Sequence, residues 1–384
     1  MPNANLAQTE APAVRGILPA QGIEAAVAAG QVLAETAVEL DQVQPASLDL
    51  RLGAVAYRVR ASFLPGPEAT VMERVAVLEM HRLDLSGPAV LERGCVYIVP
   101  LQESLALPPD LAARANPKSS TGRLDVFARL ITDRGRAFED VPAGYAGPLF
   151  AEISPRTFSV LVRAGDRLNQ LRLVSGGAAP GDSLLTHLHE QHRLVYADDD
   201  RPEEALISDG LWMSLDLTLG EVVGYRAKHH APIVDLAKRN HYELPDFWEP
   251  IPAGTDSIIL NPDDFYILAS KERIRVPPDY AAEMVAYDTS VGEYRAHYAG
   301  FFDPGFGYGE GEILGTRAVL EVRSHEVPFL LEDGQVVGRL LYEALTERPA
   351  QVYGQGIGSS YQRQSLALAK QFKTPDPGAV RGTP

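Results

Sequence analysis

The stretch "PKSSTGRLD", Pro117 to Asp125, places Lys118, the hydroxyls of Ser119, Ser120 and Thr121, Gly122 and Arg123 in one short run. Such a run suits a polyanion. Hydroxyls and backbone N–H groups donate to phosphate oxygens, while Lys and Arg neutralise their charge. The plain alternative is a solvated polar turn, which is the more frequent state of a short basic motif taken alone. A second run, "HLHEQH" with His187, His189, Glu190 and His192, has the look of a metal cluster. It lacks further partners nearby, and a surface helix or strand in a linker is the preferred reading. Cys95 is the single cysteine, so neither an intrachain disulfide nor a cysteine-cluster zinc site can form.

Elements must hold these groups, and composition bounds what they are. The 384 residues carry 35 basic and 51 acidic side chains, a formal charge of -16 that argues against a general nucleic-acid binder. An anionic ligand must then be met by a local basic pocket. No apolar run approaches the roughly 18 residues of a membrane span, and "MPNANLAQTEAPAVRG" lacks a signal-peptide core, which gives a cytoplasmic reading with no membrane partner. Thirty-three glycines, 29 prolines and short runs such as "VYIVPL" and "SIIL" predict a β-rich chain of short strands.

The chain also repeats itself. "PASLDLRLG" (Pro45 to Gly53) returns as "WMSLDLTLG" (Trp212 to Gly220), with Ser47, Asp49 and Gly53 answered by Ser214, Asp216 and Gly220. "VYIVPLQESLALPPDLAA" returns as "FYILASKERIRVPPDYAA", and further on Glu152 and Gly165 are answered by Glu321 and Gly334. Three matches in one order at nearly one spacing mean two copies of a β-rich unit. Alternation in "SLDLRLG" and "AVLEVRS" predicts half-buried strands, and "LPPD" a turn. The expected division is 1–173 for the first unit, 174–210 for a connector, 211–372 for the second unit and 373–384 for a disordered tail. Helix is expected only in short pieces, at "GIEAAVAAGQVLAE" (Gly22 to Glu35) and "SYQRQSLALAKQF" (Ser360 to Phe372).

Five motifs in order carry a specific resemblance: "QPASLDLRLG", "PKSSTGRLDV", "AGFFDPGFGYG", "AVLEV" and "YGQGIGSSYQRQ". Each half resembles the dCTP deaminase and trimeric dUTPase superfamily, and the whole resembles a long, tandem dCTP deaminase. The resemblance implies two distorted β-barrel, jelly-roll-like units of all-β class. It also implies hydrolysis of dCTP to dUTP with Mg²⁺ on the triphosphate, and sites at unit interfaces. Its further implications are a homo-oligomer, with a trimer favoured, and inhibition by dTTP. The copies differ in complementary ways. Lys118, Ser119, Ser120, Gly122 and Arg123 of the first are answered by Tyr287, Asp288, Thr289, Val291 and Gly292, where an aspartate would repel phosphate. The second instead holds "AGFFDPGFG" and "VLEV". One composite site is expected, with its phosphate cradle from the first copy and its base pocket, glutamate and lid from the second.

Deamination of cytosine needs water to attack C4 and a proton to reach the leaving ammonia. A zinc deaminase uses a His/Cys/Cys ligand set, a route closed with one cysteine. A positioned carboxylate remains. The resemblance points to Glu321, with Glu152 in reserve; the plain reading of either is an outward-facing strand glutamate. Burial would raise such a carboxyl toward the working range. Lys118, Ser119, Ser120 and Arg123 match the triphosphate contacts, Ala299 the base-contacting backbone and Asp303 the hairpin aspartate near the deoxyribose. Tyr353, Ser360, Tyr361 and Gln364 match the lid, although Ser360 stands where the family has a lysine and Arg363 is the nearest substitute. The same fold leaves open a dUTPase or a bifunctional enzyme, with Asp303 activating water at phosphate. A nucleotide sensor without turnover is the rival of another class.

Overall fold

The computed structural model describes residues 15–176, 181–197, 200–254, 256–285, 294–296 (backbone), 300–308, 313–324, 326–354 and 366–374. The chain is mostly β, and its two halves share one topology. In the first, strands run in the order Val126–Thr132, Ala146–Pro155, Val96–Ala106, Val55–Val59 and Glu79–Asp84. The second repeats that order as Tyr294–Ala296, Thr316–Ser324, Phe265–Ile274, Val222–Ala227 and Trp248–Pro252. The opposing sheets match too: Leu111–Pro117, Asn169–Ser175 and Ser47–Leu50 correspond to Tyr280–Val285, Val336–Ala344 and Leu211–Ser214. Register repeats residue for residue at the point that matters, since Glu152 pairs with Ile98 and Glu321 with Ile267. Both "PPD" segments close turns, with Leu111 N–H donating to Pro108 O and Tyr280 N–H to Pro277 O.

The copies are joined through shared packing. The core of the first unit continues into Phe247, Trp248, Phe265 and Ile267 of the second. Segment Val234–Asp235 crosses over to pair in parallel with Val160–Val162, and the Arg163 guanidinium grips Asp235 at 2.6 and 3.0 Å. On the opposite side Arg172, fully buried, donates to Ala282 O and Phe302 O at 2.9 Å each. Its guanidinium also lies 3.9 Å from the Phe301 ring centroid and 3.7 Å from Asp303. Arg172→Met would strand two buried carbonyls and a buried carboxylate, so a loss of about 3–5 kcal/mol is expected, read from urea unfolding.

Helices depart from expectation for local reasons. The first spans Ala20–Ala28 rather than Gly22 to Glu35: Gly30 takes φ +70°, Gln31 N–H closes on Ala26 O, and the chain re-emerges as strand Val32–Ala34. Stretch 174–210, read as a connector, begins in strand Asn169–Ser175. It then carries helix Asp182–His192 and strand Val195–Tyr196, which pairs with Phe265–Ile274. "HLHEQH" lies on that helix, where His189 is buried and accepts from Leu194 N–H through Nδ1; among the described residues no three His, Cys, Asp or Glu side chains converge as metal ligands. Toward the C-terminus, Leu366–Phe372 is not helical. Tertiary contacts override its helical spacing: Asn240 and His241 donate to Lys370 O and Gln371 O, and the Phe372 ring packs 5.2 Å from Phe247 and 5.7 Å from Trp248. Lys373 and Thr374, assigned to the tail, still hydrogen-bond to Tyr242 and Asn240. Residues 375–384 lie outside the described residues.

Candidate active site

A cavity of about 550 Å³ opens between the two copies, a size within the usual range for small-molecule sites. One wall is the segment Lys118–Arg123. Its Ser119–Gly122 portion forms a single helical turn, in which Thr121 N–H and Gly122 N–H both close on Lys118 O. Lys118 N–H donates to Leu168 O and the Thr121 hydroxyl to the same carbonyl, which pins the turn to the first unit. Arg123 Nη1 reaches 2.9 Å across to Ala367 O of the C-terminal segment.

The facing wall is strand Thr316–Ser324, buried along its whole length. Ala318, Leu320 and Val322 point into the core of the second unit, so the intervening Val319 and Glu321 must point the other way, into the cavity. Glu321 is only 2% exposed, which excludes the outward-facing reading. Its carboxylate sits against Gly122: a Cβ built on that glycine would lie 2.7 Å from Glu321 Cδ and 2.7 Å from Oε1. Phe301, Phe302 and Phe306 from the hairpin, with Tyr353, complete the apolar side, and Asp303 stands among them as a carboxylate. Gly300 N–H holds the hairpin by donating to Asn116 Oδ1 at 2.6 Å, and Tyr353 N–H donates to Pro304 O at 2.8 Å.

Lys118, Ser119, Ser120, Arg123, Asp303, Glu321 and Tyr353 thus line one cavity. Ala299, Ser360, Tyr361 and Gln364 lie outside the described residues, as does 286–293, which answers the phosphate motif in the second copy. Glu152 takes no part in the lining. It is buried under Arg129, whose Nε donates to it at 3.1 Å and whose guanidinium lies 3.8 Å from the Phe138 ring centroid. Glu152→Gln is therefore expected to keep kcat within a few-fold of the parent while lowering thermal stability; ammonia release and a melting curve read the two effects.

The pocket is not simply basic, contrary to the expectation from net charge. Five cations, Lys118, Arg123, Arg167, Arg239 and Lys370, face five carboxylates, Asp41, Asp49, Asp166, Asp303 and Glu321. Several pair off. Lys118 is bound by Asp49, and Arg167 by Glu39 and Asp41. Burial raises the Asp49 and Asp303 carboxyls against the pull of Lys118 and Arg172 respectively. Burial also pushes the Lys370 ammonium down to about 8, with repulsion from Lys118 and Arg239 adding to the effect. Sequence reasoning missed Arg167, Arg239 and Lys370. For Arg167 a signal existed, because the repeat answers it with the apolar Val336; Arg239 and Lys370 have no such trace.

Known proteins are similar to this chain in sequence and fold. Residues 14–177 match the model of the 2'-deoxycytidine 5'-triphosphate deaminase N-terminal domain, and residues 181–372 that of its C-terminal domain. The chain belongs to the dCTP deaminase family. A crystal structure of 2'-deoxycytidine 5'-triphosphate deaminase from Agrobacterium tumefaciens superposes with a TM-score of 0.82 at 54% identity, covering 86% of this chain and 99% of that one. The "dCTP deaminase, dUMP-forming" of Halobacterium salinarum is 33% identical over 129 residues, 33% of this chain and 62% of the relative. The dCTP deaminase of Natronomonas pharaonis is 30% identical over 165 residues, 42% of this chain and 79% of its own length. In this dCTP deaminase family member both family domains lie on one chain, so both walls of the cavity come from one polypeptide.

Proposed function

We propose that this chain hydrolyses dCTP to dUTP and ammonia at a composite site closed within a single chain. The observation that carries the reading is the seat of the Glu321 carboxylate against Gly122, which joins the carboxylate of one copy to the phosphate-type segment of the other. Lys118, Ser119, Ser120 and Arg123 hold the triphosphate, while Asp303 and Tyr353 flank the sugar. Glu321 accepts a proton from water as its oxygen bonds to C4, then delivers a proton to the exocyclic nitrogen as the C4–N bond breaks, so that water and dCTP become dUTP and ammonia. A strand buried on both faces holds the carboxylate with little freedom, which such a proton shuttle requires.

Mg²⁺ fits this cavity as a partner of the substrate. Among the described residues no convergent ligand set is built, and the metal would be held by triphosphate oxygens and water, where it spreads the polyphosphate charge. The same reading takes dTTP as a competitor for the cavity and the chain as a cytoplasmic homo-trimer, which inhibition kinetics, fractionation and sedimentation test. Among the described residues no helix is long and apolar enough to cross a membrane.

The deciding experiment incubates the protein with dCTP and Mg²⁺ and follows ammonia, dUTP, dUMP and pyrophosphate together. Ammonia with dUTP is expected. Release of dUMP with pyrophosphate would instead place the chain with the dUMP-forming relatives, and bound dCTP without turnover would make it a sensor.

A further inference from the structure

We infer that Lys370 and Arg239 form a subsite for the terminal phosphate of the nucleoside triphosphate, carried on two segments of the second copy that fold back over the first. This rests on the reading of the cavity as a dCTP site. Both side chains line the cavity beside Lys118. The other cations have protein partners already: Lys118 has Asp49, Arg167 has Glu39 and Asp41, and Arg123 reaches Ala367 O. Among the described residues neither the Lys370 ammonium nor the Arg239 guanidinium forms an ion pair or hydrogen bond.

The backbone explains why they stand together. Asn240 N–H donates to Lys370 O at 2.9 Å, so the residues flanking Arg239 and Lys370 are tied directly, and the Phe372 ring anchors the strap among Phe158, Phe247 and Trp248. Lys370 is half-buried and Arg239 exposed at the cavity's edge, and holding an ammonium partly out of water beside other cations is unfavourable unless an anion arrives. Burial is the largest cause that lowers Lys370, repulsion from Lys118 and Arg239 adds to it and attraction to Asp49 and Asp166 opposes it, leaving a group that titrates near 8 when empty. A phosphate would supply the missing charge.

Lys370→Met tests this with the full chain. KM for dCTP should rise about 10- to 100-fold, the size of one charged hydrogen bond, with the loss falling on KM rather than kcat and with the preference for dCTP over dCDP reduced. The pH profile separates contact from scaffolding. A bound anion favours the protonated amine, so the parent KM should climb as pH rises above about 8. Lys370→Arg should keep tight binding and flatten that climb, because a guanidinium stays charged. Calorimetry with inorganic tripolyphosphate supplies a readout independent of turnover. If Lys370→Met matches the parent in KM and in tripolyphosphate affinity, the subsite is overturned while dCTP turnover keeps the deaminase reading. If the parent does not turn over dCTP, that reading falls, and tripolyphosphate alone decides: at least tenfold weaker binding by Lys370→Met upholds the subsite, and equal binding removes it.

Discussion

Glu321→Gln is expected to lower kcat for ammonia release by about 10²- to 10⁴-fold while leaving dCTP affinity within a few-fold. Glutamine matches glutamate in shape, so the buried strand and its register against Ile267 should survive. The amide cannot take a proton from water, and the loss corresponds to about 3–5 kcal/mol of transition-state stabilisation. Stopped assays for ammonia and calorimetric titration with dCTP measure the two halves of the claim. A sensor would share the unchanged affinity but show no turnover in either form, with its signalling output untouched. Residual turnover at the parental rate would remove Glu321 from the chemistry and leave the cavity without a carboxylate joined to the phosphate-type turn.

Much of this was legible because the chain states its architecture twice. The matched runs around Asp49 and Asp216, and around Glu152 and Glu321, fixed the equivalence of strands that the topology displays. Period-two alternation in "AVLEVRS" put Glu321 on the face opposite Leu320, and divergence between copies singled out Lys118 to Arg123. What alternation could not say is what each face meets. Glu152 and Glu321 hold equivalent registers, yet Arg129 covers the first and Gly122 the second, and only three-dimensional packing separates them. Helix Val71–Leu78 went unread although Thr70 and Glu73 form a reciprocal capping box, a local signal that was present. The strap bearing Lys370 was illegible for a different reason: its conformation comes from Phe372 and from backbone bonds to residues 240–242, contacts more than a hundred positions away.

Gly122→Ala should separate catalysis from stability at the same seat. The added Cβ falls 2.7 Å from Glu321 Cδ and Oε1, closer than packed atoms allow. What it meets is the end of a side chain rather than backbone, so the carboxylate can swing away at small cost. Alanine also gains up to about 1 kcal/mol of helical preference in the Ser119–Gly122 turn. Unfolding free energy should therefore change by no more than about 1 kcal/mol. Catalysis should not escape so lightly, since displacing a reacting group by about 1 Å costs on the order of 10²-fold in rate. The double variant Gly122→Ala/Glu321→Gln should be no slower than Glu321→Gln alone, because the methyl acts only by moving the carboxylate. In the sequence repeat the second copy carries Val291 at the corresponding position, so the glycine belongs to the first copy alone. A Gly122→Ala protein with parental kcat would show that Glu321 does not work from this seat, and the single-chain composite site would fall with it.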